Sequence, residues 1–205
     1  GSIIATGIAM GMDVSTLIDI YLNLSAQGFR GYRWHGGYFV PKFKTKPLMA
    51  AIRRNLSDTT LGSPRVQTGL AIVAKRLDTG SVWIFHNNPN GSYFGTGRTA
   101  EKYTPNKDIE LVQLVRASTA APTFFDPEAI QVADGVNGVF VDGGVSPHNN
   151  PALLLFMLAT IKGYGFCWKA GVDRLRLVSI GTGYHPMSPD QVPWKWPPFR
   201  LAVTG

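Results

Sequence analysis

Short β-rich runs alternate with helical segments along this chain. Helical patterns cover residues 3–12, 14–28, 47–55, 108–117 and 152–161, and β-rich runs cover 66–76, 81–85, 139–141 and 175–180. Alternation of this kind predicts an α/β layered fold with a mainly parallel sheet. A chain of 205 residues, 44% of them hydrophobic, can bury the core of one such domain, which we expect to span residues 1–205.

Two of the helical segments carry specific packing predictions. Small residues run through 3–12, which lowers helix propensity but permits the close backbone packing of a helix against a sheet. Asp13 is the predicted N-cap of the next helix. The spacing i, i+3, i+4, i+7 predicts that one apolar face of this second helix is buried, formed by Val14, Leu17, Ile18 and Tyr21.

An aspartate directly follows the β-rich run 139–141 and is succeeded by two glycines. Asp142 would be held on rigid backbone at a strand end, while Gly143 and Gly144 leave space for a substrate beside it. A catalytic carboxylate needs this placement. Taken alone, however, Asp-Gly is more often a plain turn, which is our interpretation of Asp134-Gly135 and of the similar Asn137-Gly138.

Four motifs change that balance because of the order in which they occur. They are Arg116-Ala-Ser-Thr-Ala-Ala-Pro122, Asp142-Gly-Gly144, Asn149-Asn-Pro151 and Ser179-Ile-Gly-Thr-Gly183. Together they resemble the second half of the patatin-like phospholipase family, whose members use a serine and aspartate dyad with the aspartate in Asp-Gly-Gly or Asp-Gly-Ala. The resemblance implies a three-layer α/β/α sandwich that hydrolyses a lipid or another acyl ester. It further implies Asp142 as catalytic base and no metal or organic cofactor.

The beginning of the chain also resembles a family feature. In the family, the nucleophile motif Gly-x-Ser-x-Gly leads directly into a helix of small and aliphatic residues, and this chain opens with Gly1-Ser-Ile-Ile-Ala-Thr-Gly. The resemblance aligns Gly1 with the last glycine of that motif. We therefore expect the nucleophile, the oxyanion loop and the first strand to precede this polypeptide, which would itself be inactive. The alternative is a lipid-binding or regulatory module that does not cleave.

Other polar residues near these motifs are weaker candidates for catalysis. Ser2 lacks a preceding strand and a Gly-x frame. Ser118 and Ser146 lie in small-residue segments and are predicted to be cap or packing residues. His148 invites a Ser-His-Asp interpretation, but a loop histidine is usually solvated, and the family works without one.

Charge and composition bear on partners and location. Twenty basic and thirteen acidic residues give a net charge of +7, which favours peripheral contact with an anionic membrane surface. No nucleic-acid-binding motif accompanies the scattered basic residues, so no nucleic-acid partner is predicted. The segment Trp194–Arg200 fits a membrane interface or a loop that covers the core.

The cysteine and histidine content excludes two kinds of site. A single cysteine, Cys167, cannot form an internal disulfide, and the four histidines are too dispersed to predict a metal site. A lone cysteine suits a reducing compartment, so we expect a cytoplasmic or peripheral membrane protein. Secretion and the oligomeric state stay open.

Overall fold

The computed structural model describes residues 1–28, 41–95 and 103–183. The helices in these ranges are α1 (Ser2–Ala9), α2 (Val14–Gly28), α3 (Thr45–Leu56), α4 (Leu111–Ser118) and α5 (Ala152–Thr160). The strands are β1 (Ala71–Arg76), β2 (Val82–His86), β3 (Glu128–Ala133) and β4 (Val136–Asp142). Mixed α/β content is thus confirmed. The predicted interfacial segment Trp194–Arg200 lies outside the described residues.

The four described strands form one sheet in the order β2-β1-β4-β3, and every neighbouring pair is antiparallel. The prediction of a mainly parallel sheet is therefore wrong for these strands. Tight turns join β1 to β2 and β3 to β4, and a tight turn reverses the chain, whereas parallel strands need a long crossover. Gly135 makes the second turn possible because its φ is +65°.

Two further predictions about strands fail. Asn137-Gly138 belongs to β4 and is not a turn. Residues 175–180 form no strand, and Leu177, Val178 and Ile180 are exposed there. A strand is stable only beside a hydrogen-bonded neighbour, and among the described residues none pairs with this segment.

The main core lies between α4 and one face of the sheet. Helix α4 contacts β1, β3 and β4, and its apolar residues Leu111, Val112, Leu114 and Val115 are all buried. Alternate positions of the strands supply the opposing surface, including Ile72, Ala74, Ile130 and Phe140. This packing fixes the end of β4, where Asp142 lies.

Helix α1 packs between helices instead of against the sheet. It contacts α2 and α4, and a Cβ atom at Gly7 would overlap the side chain of Leu17 in α2. The small residues of α1 thus permit close packing, as predicted, but the partner is another helix. No helix in the described part of the chain is long and apolar enough to span a membrane.

Helix α2 begins as predicted but buries a different face. The Asp13 carboxylate caps it by accepting a 2.8 Å hydrogen bond from the backbone N–H of Thr16. Ile20 and Leu24 are buried, at 8% and 5% exposure, and only Leu17 of the predicted face is half-buried. The predicted residues Val14, Ile18 and Tyr21 are 72%, 54% and 51% exposed, so this part of the prediction is wrong.

Candidate active site

Asp142 is the last residue of β4, and its backbone is held on two sides. It pairs with Ala74 of β1, and its N–H donates a 3.1 Å hydrogen bond to the Ala120 carbonyl, just beyond α4. The carboxylate oxygen Oδ1 accepts a 2.7 Å hydrogen bond from the N–H of Gly144. Among the described residues, none donates a hydrogen bond to Oδ2. One carboxylate oxygen is therefore fixed and the other is available to a reacting group.

Gly143 lies where no side chain fits. A Cβ atom there would be 2.5 Å from the Val73 carbonyl oxygen and 2.9 Å from its carbon, well inside van der Waals contact. These are backbone atoms of β1, so they cannot rotate away. A Cβ atom on Gly144 would lie 3.1 Å from Asp142 Oδ1 and 3.2 Å from Asn149 Oδ1, so a side chain there would crowd the carboxylate.

Ser146 braces the turn that follows the aspartate. Its hydroxyl donates a 2.6 Å hydrogen bond to the Gly143 carbonyl and accepts a 3.2 Å bond from the His148 N–H. The side chain is buried. Ser146 thus has the packing role predicted for it, and it keeps Gly143 against β1.

A cavity of about 420 Å³ opens beside Asp142 and is called the Asp142 cavity below. It brings together the four predicted site residues Gly1, Asp142, Gly143 and Gly144. The weaker candidates Ser2, Ser118 and His148 also line it, whereas Ser146 does not. The amino end of α1 and the carboxyl end of β4, which are about 140 residues apart in the sequence, therefore face one space.

Burial raises the pKa of the Asp142 carboxyl above its ordinary value. The Gly144 N–H acts in the opposite direction and lowers that pKa. A carboxylate with a raised pKa is a stronger base than an ordinary aspartate, which suits it to accept a proton.

Arg116 is an anchor that we did not identify from the sequence. Its guanidinium is fully buried and donates hydrogen bonds to the Asp126 carbonyl and, at 3.2 Å, to the Thr45 hydroxyl. Ala120 lies between Arg116 and Asp126 in the sequence, so the hydrogen bond that joins these two residues helps to hold the Ala120 carbonyl in place. This carbonyl is the one that accepts the hydrogen bond from the Asp142 N–H. The sequence signal for this role is an arginine within the apolar sequence of α4, because a charged residue at a buried position needs partners.

A separate cavity of about 350 Å³ lies against β2. Its wall includes the aromatic side chains of Trp83, Tyr93 and Tyr164, and its polar lining includes His86 and Asn106. None of the four predicted site residues lines it. The candidate site is therefore the Asp142 cavity.

Comparison with known proteins identifies the family of this chain. A model described as Patatin-like phospholipase matches residues 1–156, a range that contains every predicted site residue. The chain belongs to the patatin-like phospholipase family, and the prediction from its motifs is confirmed.

The similar proteins include one bacterial enzyme and several plant proteins. A cUMP-AMP-activated phospholipase from Escherichia coli is 26% identical over 192 residues, which are 91% of this chain and 52% of that protein. Patatin group D-3 from Solanum tuberosum is 29% identical over 158 residues, 72% of this chain and 37% of that protein. The chain thus spans about half of the bacterial relative and less of the plant relative.

Proposed function

We propose that this chain contributes the catalytic base, Asp142, to a lipid acyl hydrolase of the serine type. The observation that carries the proposal is the Asp142 cavity, where an aspartate with one available carboxylate oxygen faces the amino end of α1. Membership of the phospholipase family supports an acyl ester of a lipid as the substrate. The raised pKa of Asp142 supports its role as a base.

The proposed nucleophile is a serine two residues upstream of Gly1 in the intact protein. A serine there would enter the Asp142 cavity from the amino end of α1. Asp142 Oδ2 would accept its proton while Oγ attacks the ester carbonyl, and Asp142 would return that proton to the departing alcohol oxygen as the acyl-enzyme forms. Asp142, ionised again, would then take a proton from water as the water oxygen attacks the acyl-enzyme, and would return it to serine Oγ as the acid is released.

The glycines shape the space in which this reaction would occur. Gly143 lets the turn pack against Val73 so that Asp142 projects into the cavity, and Gly144 fixes Oδ1 through its N–H. Gly1 lines the same cavity, so the amino end of α1 borders the space in which the substrate would lie. The net charge of +7 supports a peripheral approach to anionic lipid surfaces.

The test is hydrolysis of a short-chain nitrophenyl ester by this chain and by a polypeptide extended upstream through the proposed serine. We expect turnover in the extended polypeptide alone, and we expect Asp142→Asn to abolish it. Because the base must be ionised, kcat/KM should fall as the pH drops through the pKa of Asp142, which lies above the ordinary aspartate value.

Asp134→Asn is the matched control, since Asp134 also precedes a glycine but is exposed in the turn between β3 and β4. It should leave kcat/KM unchanged. Full activity of Asp142→Asn in the extended polypeptide would refute the proposal. Lipid binding without any turnover in that polypeptide would favour the alternative, a module that holds lipids without cleaving them.

A further inference from the structure

The two edges of the described sheet differ in how they are protected against the addition of another strand. The β3 edge carries Glu128 and has a register irregularity between Gln131 and Ala133, and both features discourage pairing. The β2 edge, Val82–His86, pairs regularly with β1 and contains no proline, lysine, arginine, aspartate or glutamate. An edge without such protection is open to a further strand.

One hydrogen bond establishes which backbone groups of β2 face outward. The Arg76 N–H donates a 2.8 Å hydrogen bond to the Ser81 carbonyl. Bonded and non-bonded pairs alternate along an antiparallel ladder, so every second residue from Ser81 bonds to β1. The backbone N–H and C=O groups of Val82, Ile84 and His86 therefore point away from β1. Among the described residues, none bonds to these groups.

These three outward-facing residues all line the cavity of about 350 Å³ against β2, which is called the β2 groove below. Its wall includes Tyr93 and Tyr103, whose rings are 5.6 Å apart and nearly perpendicular. It also includes Tyr164, whose carbonyl accepts a 2.6 Å hydrogen bond from the Asn88 side chain. A recessed edge of this shape admits one extended strand. It excludes the β2 edge of a second copy, because that edge is recessed in the same way.

Two side chains in the wall of the β2 groove have polar groups without partners among the described residues. Asn106 is only 6% exposed, and its side-chain amide bonds to none of these residues. The His86 Nδ1 accepts a 3.3 Å hydrogen bond from the Asn88 N–H, which leaves the proton on Nε2, and no described residue accepts this proton. Because buried polar groups need partners, the groove favours a ligand that both donates and accepts hydrogen bonds, as peptide groups do.

The β2 groove is also free of charge. None of its described lining residues is a lysine, arginine, aspartate or glutamate. His86 is neutral at pH 7, because burial lowers its pKa. A charged ligand would lose hydration in this groove without gaining a partner of opposite charge. The groove therefore selects an uncharged ligand.

The strand that we expect upstream of Gly1 does not fill the β2 groove. Gly1 lies at the Asp142 cavity, whose wall contains residues of β1 and β4 but none of β2. The two cavities share no lining residue. Since β1 lies between β2 and β4 in the sheet, a strand that leads into Gly1 would lie on the other side of β1.

We propose that the β2 groove binds an uncharged, extended segment of a partner protein, which adds a strand to the sheet. The outward-facing backbone groups complement a peptide backbone, and the tyrosines of the wall accommodate an apolar or aromatic side chain. The segment is short, because the four steps from Val82 to His86 span only about 14 Å of antiparallel strand. This inference does not depend on Asp142 or on the proposed function.

Titration calorimetry of this chain with the capped tripeptide acetyl-Thr-Tyr-Thr-amide tests the inference. Successive N–H groups of an extended strand point to opposite sides, so N-methylation of the second and of the third residue should have opposite effects. One methylated peptide should bind at least tenfold more weakly, and the other should bind like the parent. Equal binding of all three peptides would overturn the inference, as would no binding of the parent.

Ile84→Pro tests the edge in the protein itself. Proline lacks the N–H that faces the β2 groove, and an edge position with an outward N–H tolerates proline without loss of the hydrogen bonds to β1. We expect the peptide affinity to fall at least tenfold while circular dichroism shows an intact fold. Self-association of the chain that Ile84→Pro abolishes, without peptide binding, would overturn the inference in favour of a second copy at this edge.

A pair of asparagine variants keeps the test decisive if Ile84→Pro does not fold. Asn106→Ala should lower the peptide affinity roughly fivefold, since it removes one hydrogen-bonding group from the wall of the β2 groove. Asn137→Ala is the matched control, because Asn137 is exposed in β4 and lies outside the groove, and it should leave the affinity unchanged. Equal affinities in these two variants would overturn the inference.

Discussion

Asp142 is a residue whose proposed role conflicts with the stability of the fold. Burial raises the pKa of its carboxyl in the folded state, so ionisation opposes folding. The protonated carboxyl makes its full contribution to the free energy of unfolding at pH values below the ordinary aspartate pKa of about 3.9. That contribution is lost as the pH rises through the raised pKa of the folded state. At neutral pH the folded protein therefore bears the full destabilisation.

We predict that Asp142→Asn raises the Tm at pH 7, because a neutral amide can still accept the Gly144 N–H and does not need to be ionised. The gain should shrink as the pH is lowered towards the ordinary aspartate pKa. Thermal unfolding across this pH range, with Asp134→Asn as the control, measures the effect. A Tm that falls in Asp142→Asn at neutral pH would contradict it.

At the residue scale, the motif that defines the candidate site could be found in the sequence, whereas the contacts that support it could not. Asp142, Gly143 and Gly144 are consecutive, so the order of residue types was enough to single them out. The contacts that hold it come from Ala120 and Val73, which are backbone groups of distant segments. Backbone contacts leave no pattern in residue type, so sequence could not predict them.

Helix α2 shows why the existence of an element is easier to predict than its orientation. Apolar residues cover more than half of its circumference, so the pattern fits more than one buried face. The side with Ile20 and Leu24 is buried because α3 packs against α2, and the position of α3 is a tertiary property. Periodicity in α2 alone could not select that side.

A matched pair of isoleucines in α2 tests the observed orientation. Ile20→Ala should reduce the free energy of unfolding by about 2–5 kcal/mol, as for other buried aliphatic side chains. Ile18→Ala should change it by about 0.5 kcal/mol or less, because Ile18 is largely exposed. Both substitutions alter helix propensity equally, so the difference reports burial. Equal losses in urea denaturation would contradict this orientation.

For the whole molecule, the alternation of helices and strands predicted the class of fold but not the direction of its strands. Only β1 and β2 were expected to follow each other without a helix between them, and β3 was not predicted at all. The run Glu128–Ala133 alternates exposed and buried positions beside a tight turn, and its charged and polar residues weaken the apolar signal. Because β3 was not predicted, the hairpin that it forms with β4 was not predicted either. The antiparallel sheet could therefore not be inferred.

The net charge is a further property of the whole molecule with a measurable consequence. With a charge of +7, the chain should sediment with vesicles that contain phosphatidylserine and much less with phosphatidylcholine vesicles, since each basic residue near an anionic surface contributes about 1 kcal/mol. Raising the salt from 0.1 M to 1 M shortens the screening length from about 10 Å to about 3 Å, so binding should decline. Equal binding to both vesicles would contradict the prediction.

The contact between Gly143 and the Val73 backbone has a consequence for how descendants of this protein can diverge. No exchange of a neighbouring side chain relieves a clash with main-chain atoms, so selection for folding alone would retain this glycine. Selection for folding alone would act against Asp142, because its ionised carboxyl opposes folding at neutral pH. In a lineage released from catalysis, drift would remove the aspartate early and the glycine late. Retention of the aspartate would therefore be the more informative record of past activity.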